Sequence, residues 1–502
     1  MNNPVFAFLV FLFSCTLFAQ NQELSLAWET NPRSLDPRYA NDANGQYLMD
    51  LSHCSLITFD PSGNPVGQVA QSWEWLSPTK LLVTVRSDAK FQDAKPVLVD
   101  DILATYKFLM GTQARPSPLS PAFRKVTSVR SPAPQKIEFE LSQPDSSFVN
   151  NLFIGILPKD LASGPMLNDA PALKGCGPFQ IDKIGVNDYT LIRNENYSLG
   201  PKSKLSKINI KIIKDDTTRF SKLLKGELDL VQNGISRDKA QSIAHSHSKL
   251  AIASREGLNV SYVGFNFRDP ILAKKEVRQA ISLGINREEI IRYLLQGLAE
   301  PARNFLSSGS PFRDEVGKPV FDLNQAKTLL DKAGFPEKGP EKLRFSLDLK
   351  TTADNTRLNV AQAIAGQLRK LGIKVQVQAL EWGKLSSDLE HGAVQMWVQN
   401  WVGYKDPDIF RYTFASESFP PHGGNRGWYS NTRLDKLLLE GLQTTDFAKR
   451  RSLYIQAQKI VEEDLPYAFL WHEKNFVVYN KAIKGFQLYA DGRYSSLVNV
   501  SR

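Results

Sequence analysis

A chain of 502 residues, 42% hydrophobic and 23% charged, carries enough apolar material for two or three domains. Its formal charge of +10 comes from Lys and Arg spread along the whole length, with only short clusters such as Lys202 to Lys214. No RNA- or DNA-binding signature accompanies them, so the charge reads as a solvated basic surface and no nucleic acid is expected as a partner.

The N-terminus stands apart. Val5 to Phe13 reads VFAFLVFLF and is followed by SCTLFA and a polar NQE. That is the h-region and small-residue ending of a secretory signal, and Pro4 to Ala19 is too short to span a bilayer. Residues 1–20 are therefore read as a signal peptide and the mature chain as exported. Leu12-Phe13-Ser14-Cys15 also resembles a lipoprotein cleavage box, in which Cys15 becomes a lipidated N-terminus. The mature chain keeps two cysteines, Cys54 and Cys176, which form no disulfide framework for a protein this large. Sequence leaves open whether they meet. His53 beside Cys54 reads as two structural neighbours, since catalytic pairs are rarely adjacent in sequence.

In chain order, Leu24 to Trp28 reads as a strand entering the loop Glu29, Thr30 and Asn31, and Gln46 to Leu56 as a helix. Leu81, Val83 and Val85 alternate with polar residues as a half-buried strand. Asp100 or Asp101 is the expected cap of the helix carrying Ile102, Tyr106 and Leu109. Asn286, with Glu289 three residues later, opens another helix. Leu343 to Leu349 and Ile373 to Val377 alternate as strands, with a helix over 359–371 and Gly372 as its stop. That is a βαβ unit, so a parallel or mixed sheet flanked by helices is expected. Lys474 to Tyr479 reads as a last strand.

Several motifs then occur in a recognisable order. Ala70, Ser72 and Trp73 precede a strand ending in Arg86, followed by Lys90-Phe91, Asp93, Lys95-Pro96 and Asp100-Asp101. Next come Gly175-Cys176-Gly177-Pro178-Phe179, Gly226-Glu227-Leu228-Asp229, Gly264-Phe265-Asn266, Val277-Arg278-Gln279-Ala280-Ile281 and Ala333-Gly334-Phe335-Pro336. Over nearly the whole mature chain this order resembles the family 5 extracellular solute-binding proteins, the peptide, dipeptide and nickel receptors of ABC importers. Two departures are Ala94, where the family usually has Gly, and Cys176, where it has Thr. The resemblance implies an α/β, two-lobed, type II-like periplasmic-binding-protein fold with a ligand cleft between the lobes. It assigns 21–60, 173–258 and 472–502 to one lobe, 61–172 to a peripheral subdomain of it, and 259–471 to the other lobe. It further implies a monomer in the periplasm, an ABC permease of the inner membrane as partner, a peptide or similar small solute as ligand, no cofactor and no catalysis. A nickel chelate or other small solute is the alternative ligand, and a secreted hydrolase the alternative class.

The residues agree that no catalytic motif is present: there is no Gly-x-Ser-x-Gly, no Gly-rich phosphate loop and no His-Glu-x-x-His. The six histidines are scattered, and His245 and His247 in SIAHSHSK have no third ligand nearby in sequence. The densest candidate surface is Trp397 to Tyr429, where Trp397, Trp401, Trp428 and six further aromatic residues alternate with Gly and Pro. Aromatic rings on loops either cap a core or line a ligand site. The resemblance places Trp401 in the cleft, with the ligand backbone pairing there and at Thr30 and Asn31 in the manner of an added strand. Peptide binders of the family have an aspartate three residues after this tryptophan for the ligand's ammonium. Here that position is Tyr404, and Asp406 and Asp408 come later: either a shorter loop brings Asp406 to the same place, or the ligand lacks a free amine, or a cation–π contact from Tyr404 or Trp401 replaces the ion pair. Asn425 offers hydrogen bonds, and Arg426 a fork for a ligand carboxylate or a brace for its own loop.

Overall fold

The computed structural model describes residues 22–111, 116–246, 249–315 and 317–502. The signal-like segment with Cys15, and His247, lie outside them. One mixed sheet runs through the molecule. Its strands are β1 (Glu23–Trp28), β2 (Phe179–Ile184), β3 (Asp188–Arg193), β4 (Lys207–Ile212), β5 (Leu230–Gln232), β6 (Leu250–Phe265), β7 (Ala299–Pro301), β8 (Phe345–Thr352), β9 (Ile373–Leu380), β10 (Met396–Trp401) and β11 (Tyr467–Asn480). They lie in the order β9-β8-β10-β6-β11-β5-β1-β4-β3-β2, with β7 also paired to β11.

The two long strands tie the halves of this sheet together. Leu250 to Glu256 of β6 pair antiparallel with Asn480 to Lys474 of β11, beside β5 and β1. Beyond a register shift between Glu256 and Val260, β6 continues against His472 to Tyr467 on one side and β10 on the other. A bulge of this kind twists and bends a strand pair. A separate four-stranded antiparallel sheet is built from Ala70–Ser77, Lys80–Val85, Lys136–Leu141 and Val126–Arg130. Its core, from Cys54 to Cys176, shares no member with the clusters on either side of the large sheet.

Local chemistry explains the elements. In the strand Lys80–Val85, Leu81, Val83 and Val85 are buried, as their alternation requires. The βαβ unit forms with β8 and β9 parallel, and Asp354 caps its helix, Asn355–Arg369, by accepting from the Arg357 N–H. That cap starts the helix four residues before the expected position. The helix Val99–Met110 is likewise not capped by Asp100 or Asp101. Leu98 is its N-cap, and Asp101 reaches back from inside the first turn to the Leu98 N–H at 2.8 Å. The first helix spans Ala43–Ser52 rather than 46–56, because His53 and Cys54 turn extended and Cys54 bonds to Cys176. Glycines make that bond possible. A Cβ on Gly175 would lie 2.0 Å from the Ser52 carbonyl oxygen, and one on Gly177 2.6 Å from the Ser52 carbonyl carbon. With Cys54 consumed in a disulfide, the Cys–His nucleophile reading closes.

Candidate functional site

The aromatic stretch is less of a loop than its glycines and prolines suggest. Trp397 and Trp401 lie on one face of β10, and Phe410, Tyr412 and Phe414 lie on the helix Ile409–Phe414. Trp397 is wholly buried because Gly264 sits across from it; a Cβ there would stand 2.2 Å from the indole. Tyr404, Phe419, Trp428 and Tyr429 remain on connecting segments, Tyr429 being buried there. After Trp401 the chain emerges abruptly: Val402 is 63% exposed, Gly403 adopts φ 72°, and its N–H donates to Asn259 Oδ1.

A cavity of about 510 Å3 lies where this segment faces Gln46, Phe59 and residues 119–154. Gly403 to Asp406, Asp408, Ile409, Arg411 and Tyr412 form one wall. Gln46, Phe59, Phe123, Asn150, Asn151 and Phe153 are among those forming the other. A cavity of this size with aromatic walls and a few polar groups suits a small solute. A larger hollow of about 790 Å3 is lined only from the Tyr39 and Asp100–Met166 side and does not touch the 403–412 segment.

The anticipated residues divide. Tyr404, Asp406 and Asp408 stand in the cavity wall. Trp401 is 8% exposed and lies one ring behind it, edge-on to Tyr404 at 5.5 Å and to Tyr412 at 5.9 Å. Arg426 sits over the Trp401 ring, its Cζ 5.5 Å from the centroid. Asn425 is buried and spends its amide on the Ala415 and Tyr429 carbonyls, bracing the loop that presents Arg426. Thr30 and Asn31 are exposed at the end of β1, tied to Asn44 and Tyr189, and are not part of the cavity wall.

Both acids in the wall are engaged. Asp406 receives a bidentate pair from Arg450, at 2.6 and 3.1 Å, and a bond from Asn150 across the cavity at 3.1 Å. Asp408 receives Arg411 at 2.9 and 3.0 Å and the Tyr454 hydroxyl at 3.3 Å. Burial still holds the Asp408 carboxyl above its ordinary value, against the lowering effect of Arg411.

Lys405, not singled out from sequence, reaches across to Asp491 at 2.8 Å and lies 3.4 Å from the centroid of Phe59. Burial, assisted by Arg493, depresses its ammonium to about 8 despite Asp491. Arg493 in turn pairs with Asp491 at 2.8 Å and Asp50 at 3.4 Å. Phe59, Asn150, Arg450 and Asp491 gave no signal in the sequence, because none is near the aromatic stretch in the chain. Lys405 had one: it directly follows the unexpected Tyr404.

Among the described residues no group of three or more His, Cys, Asp or Glu side chains is placed to hold a metal ion, and no helix is long and apolar enough to cross a membrane. Aromatic rings and internally paired charges thus line the cavity together. Residues 64–420 match the family described as bacterial extracellular solute-binding proteins, family 5 Middle, and the chain belongs to that family. Among its relatives, the probable D,D-dipeptide-binding periplasmic protein DdpA of Escherichia coli is 27% identical, over 91% of this chain and 89% of its own. The oligopeptide-binding protein AppA of Bacillus subtilis is 26% identical, over 91% and 87%. The fold is that of the unliganded open form of the periplasmic murein tripeptide binding protein MppA, with a TM-score of 0.84 at 23% identity, covering 96% of this chain and 97% of that one.

Proposed function

We propose that this protein captures a peptide or similar small solute between its two lobes and hands it, unchanged, to an ABC permease of the inner membrane. The observation that carries the reading is the cavity between the 403–412 segment and residues 119–154, whose walls come from parts of the chain some 250 residues apart. The walls sit on opposite sides of the β6–β11 pair, so bending at the shift between Glu256 and Val260 changes their separation. Phe59, Phe153, Tyr404 and Tyr412 supply apolar area at low entropic cost, and Gln46, Asn150 and Asn151 supply hydrogen bonds that do not depend on ligand side chains. Relatives whose names specify a dipeptide and an oligopeptide support a peptide as the solute. In this reading residues 1–20 direct export and are removed, and the mature protein works as a periplasmic monomer.

Native mass spectrometry of the protein purified from its exporting cells, followed by denaturation, tests this. Released peptides are the expected result, with the intact mass showing whether the chain starts after residue 20 or, instead, at a lipidated Cys15. A turned-over product would refute capture without catalysis, and a solute without peptide bonds would refute the peptide assignment.

A further inference from the structure

A ligand amine needs an acid whose charge is not already neutralised, and among the described residues of the cavity wall there is none. Asp406 is held by Arg450, Asp408 by Arg411, and Asp491 and Asp50 by Lys405 and Arg493. Beside the Phe59 ring, the place an ammonium would take against Asp491 is filled by the protein's own Lys405. On the 399–426 side the groups left over are donors. Arg426 has no carboxylate within ion-pair distance among the described residues, and its guanidinium stacks on Trp401, one ring from the Tyr404 and Tyr412 wall. Its charge reaches the Tyr262 and Tyr467 hydroxyls, where it opposes the upward push of burial. Gln399 Nε2, on the same face of β10 as Trp401, is buried without an acceptor, while Trp401 is directed to the Tyr467 hydroxyl. A buried donor without a partner favours a ligand that brings acceptors.

We propose that the cleft selects solutes that are anionic at the end nearest Arg426 and that need no free amine. Resting on the peptide reading above, this means peptides held by a carboxylate, with the amino end unpaired by any acid of the protein. Arg426 is then the specificity-determining residue, and Tyr404 stands where an ammonium partner is not required.

Calorimetry on the mature chain with four forms of trialanine (free, N-acetylated, C-amidated and doubly blocked) tests the charge preference. Acetylation is expected to change Kd by less than about 3-fold and amidation to weaken binding by about 30-fold or more, the scale of a charged hydrogen bond. In Arg426→Gln, with an unchanged melting curve, acid and amide should bind alike, and Arg426→Lys should recover part of the difference. Loss on acetylation with tolerance of amidation would overturn the inference. If none of the four forms binds, the peptide reading fails, and the solute released from the purified protein decides the charge question separately. An organic acid retained by wild type and lost from Arg426→Gln sustains the inference. A neutral or cationic solute, or a protein that carries nothing and ignores simple dicarboxylates, defeats it.

Discussion

Lys405 shows how far a single side chain can depart from its ordinary behaviour when it crosses a cleft. Its ammonium is depressed to about 8 because burial outweighs the attraction of Asp491. Between that value and the ordinary 10.5, the unfolded chain binds a proton here that the folded chain does not. Stability therefore rises with pH through that window, by about 2 kcal/mol between pH 7.5 and 10 from this group alone. Lys405→Met removes the rise. Guanidinium midpoints of both proteins at the two pH values check it, and a parallel pH response in the variant would assign the effect elsewhere. Ala94 is a simpler case. It sits at φ 68° on the exposed turn between Phe91 and Lys95, where the family usually has glycine. The left-handed conformation costs an alanine about 1–2 kcal/mol, against about 0.5–1 for glycine's extra chain entropy. Ala94→Gly should thus gain roughly 0.5–1 kcal/mol, read as a higher denaturation midpoint without change in binding.

Elements were legible where a local period or punctuation mark governs them. β8, its helix and β9 came from alternation and a glycine stop, and Asn286 does cap its helix through the Glu289 N–H. The motifs that mark the family prove to be fold hardware rather than site. Arg278 ties Leu272, Ala273, Asp464 and Leu465 carbonyls together, Gly264 makes room for Trp397, and Gly334 adopts φ 86° after a helix. The site was less legible because its charges are neutralised across great sequence distance. Nothing near Asp406 announces Arg450 or Asn150, and nothing near Lys405 announces Asp491 or Phe59. Likewise Trp397 and Trp401 looked like loop residues because the glycines and prolines around them lie just beyond the strand. The Gly175–Pro178 turn exemplifies the hardware and carries its own prediction. It presses Cys176 onto Cys54, closing a loop of 122 residues between two fully buried sulfurs. Chain-entropy arguments give such a closure about 4–5 kcal/mol. Cys54→Ser with Cys176→Ser should lower the melting temperature by roughly 5–10 °C, and Gly177→Ala should resemble it, since its Cβ displaces the Ser52 backbone. An unshifted melt in the Gly177→Ala protein would show that this backbone yields freely.

At the scale of the molecule, the two sides of the cleft already touch through contacts that involve no ligand. Ser146, just past the strand Lys136–Leu141, donates its N–H to the Leu442 carbonyl at 2.9 Å and its hydroxyl to the Gly441 carbonyl at 3.1 Å. Asn150 bridges to Asp406, and Lys405 to Asp491. Such contacts hold the two sides together without a solute, and a ligand's apparent affinity scales with how readily the sides come together. Ser146 makes the cleanest probe because it lies outside the cavity wall. Its hydroxyl can be removed without orphaning the Gly441 carbonyl, which also accepts from Arg450 Nε at 3.2 Å. Ser146→Ala therefore forfeits one neutral hydrogen bond, about 1 kcal/mol, and should weaken solute binding roughly 5-fold through closure alone. Calorimetry gives the affinity, and small-angle scattering should show a larger empty form with an unchanged loaded one. Unaltered affinity would mean that these contacts do not bias closure, leaving the energy of closing to the ligand itself.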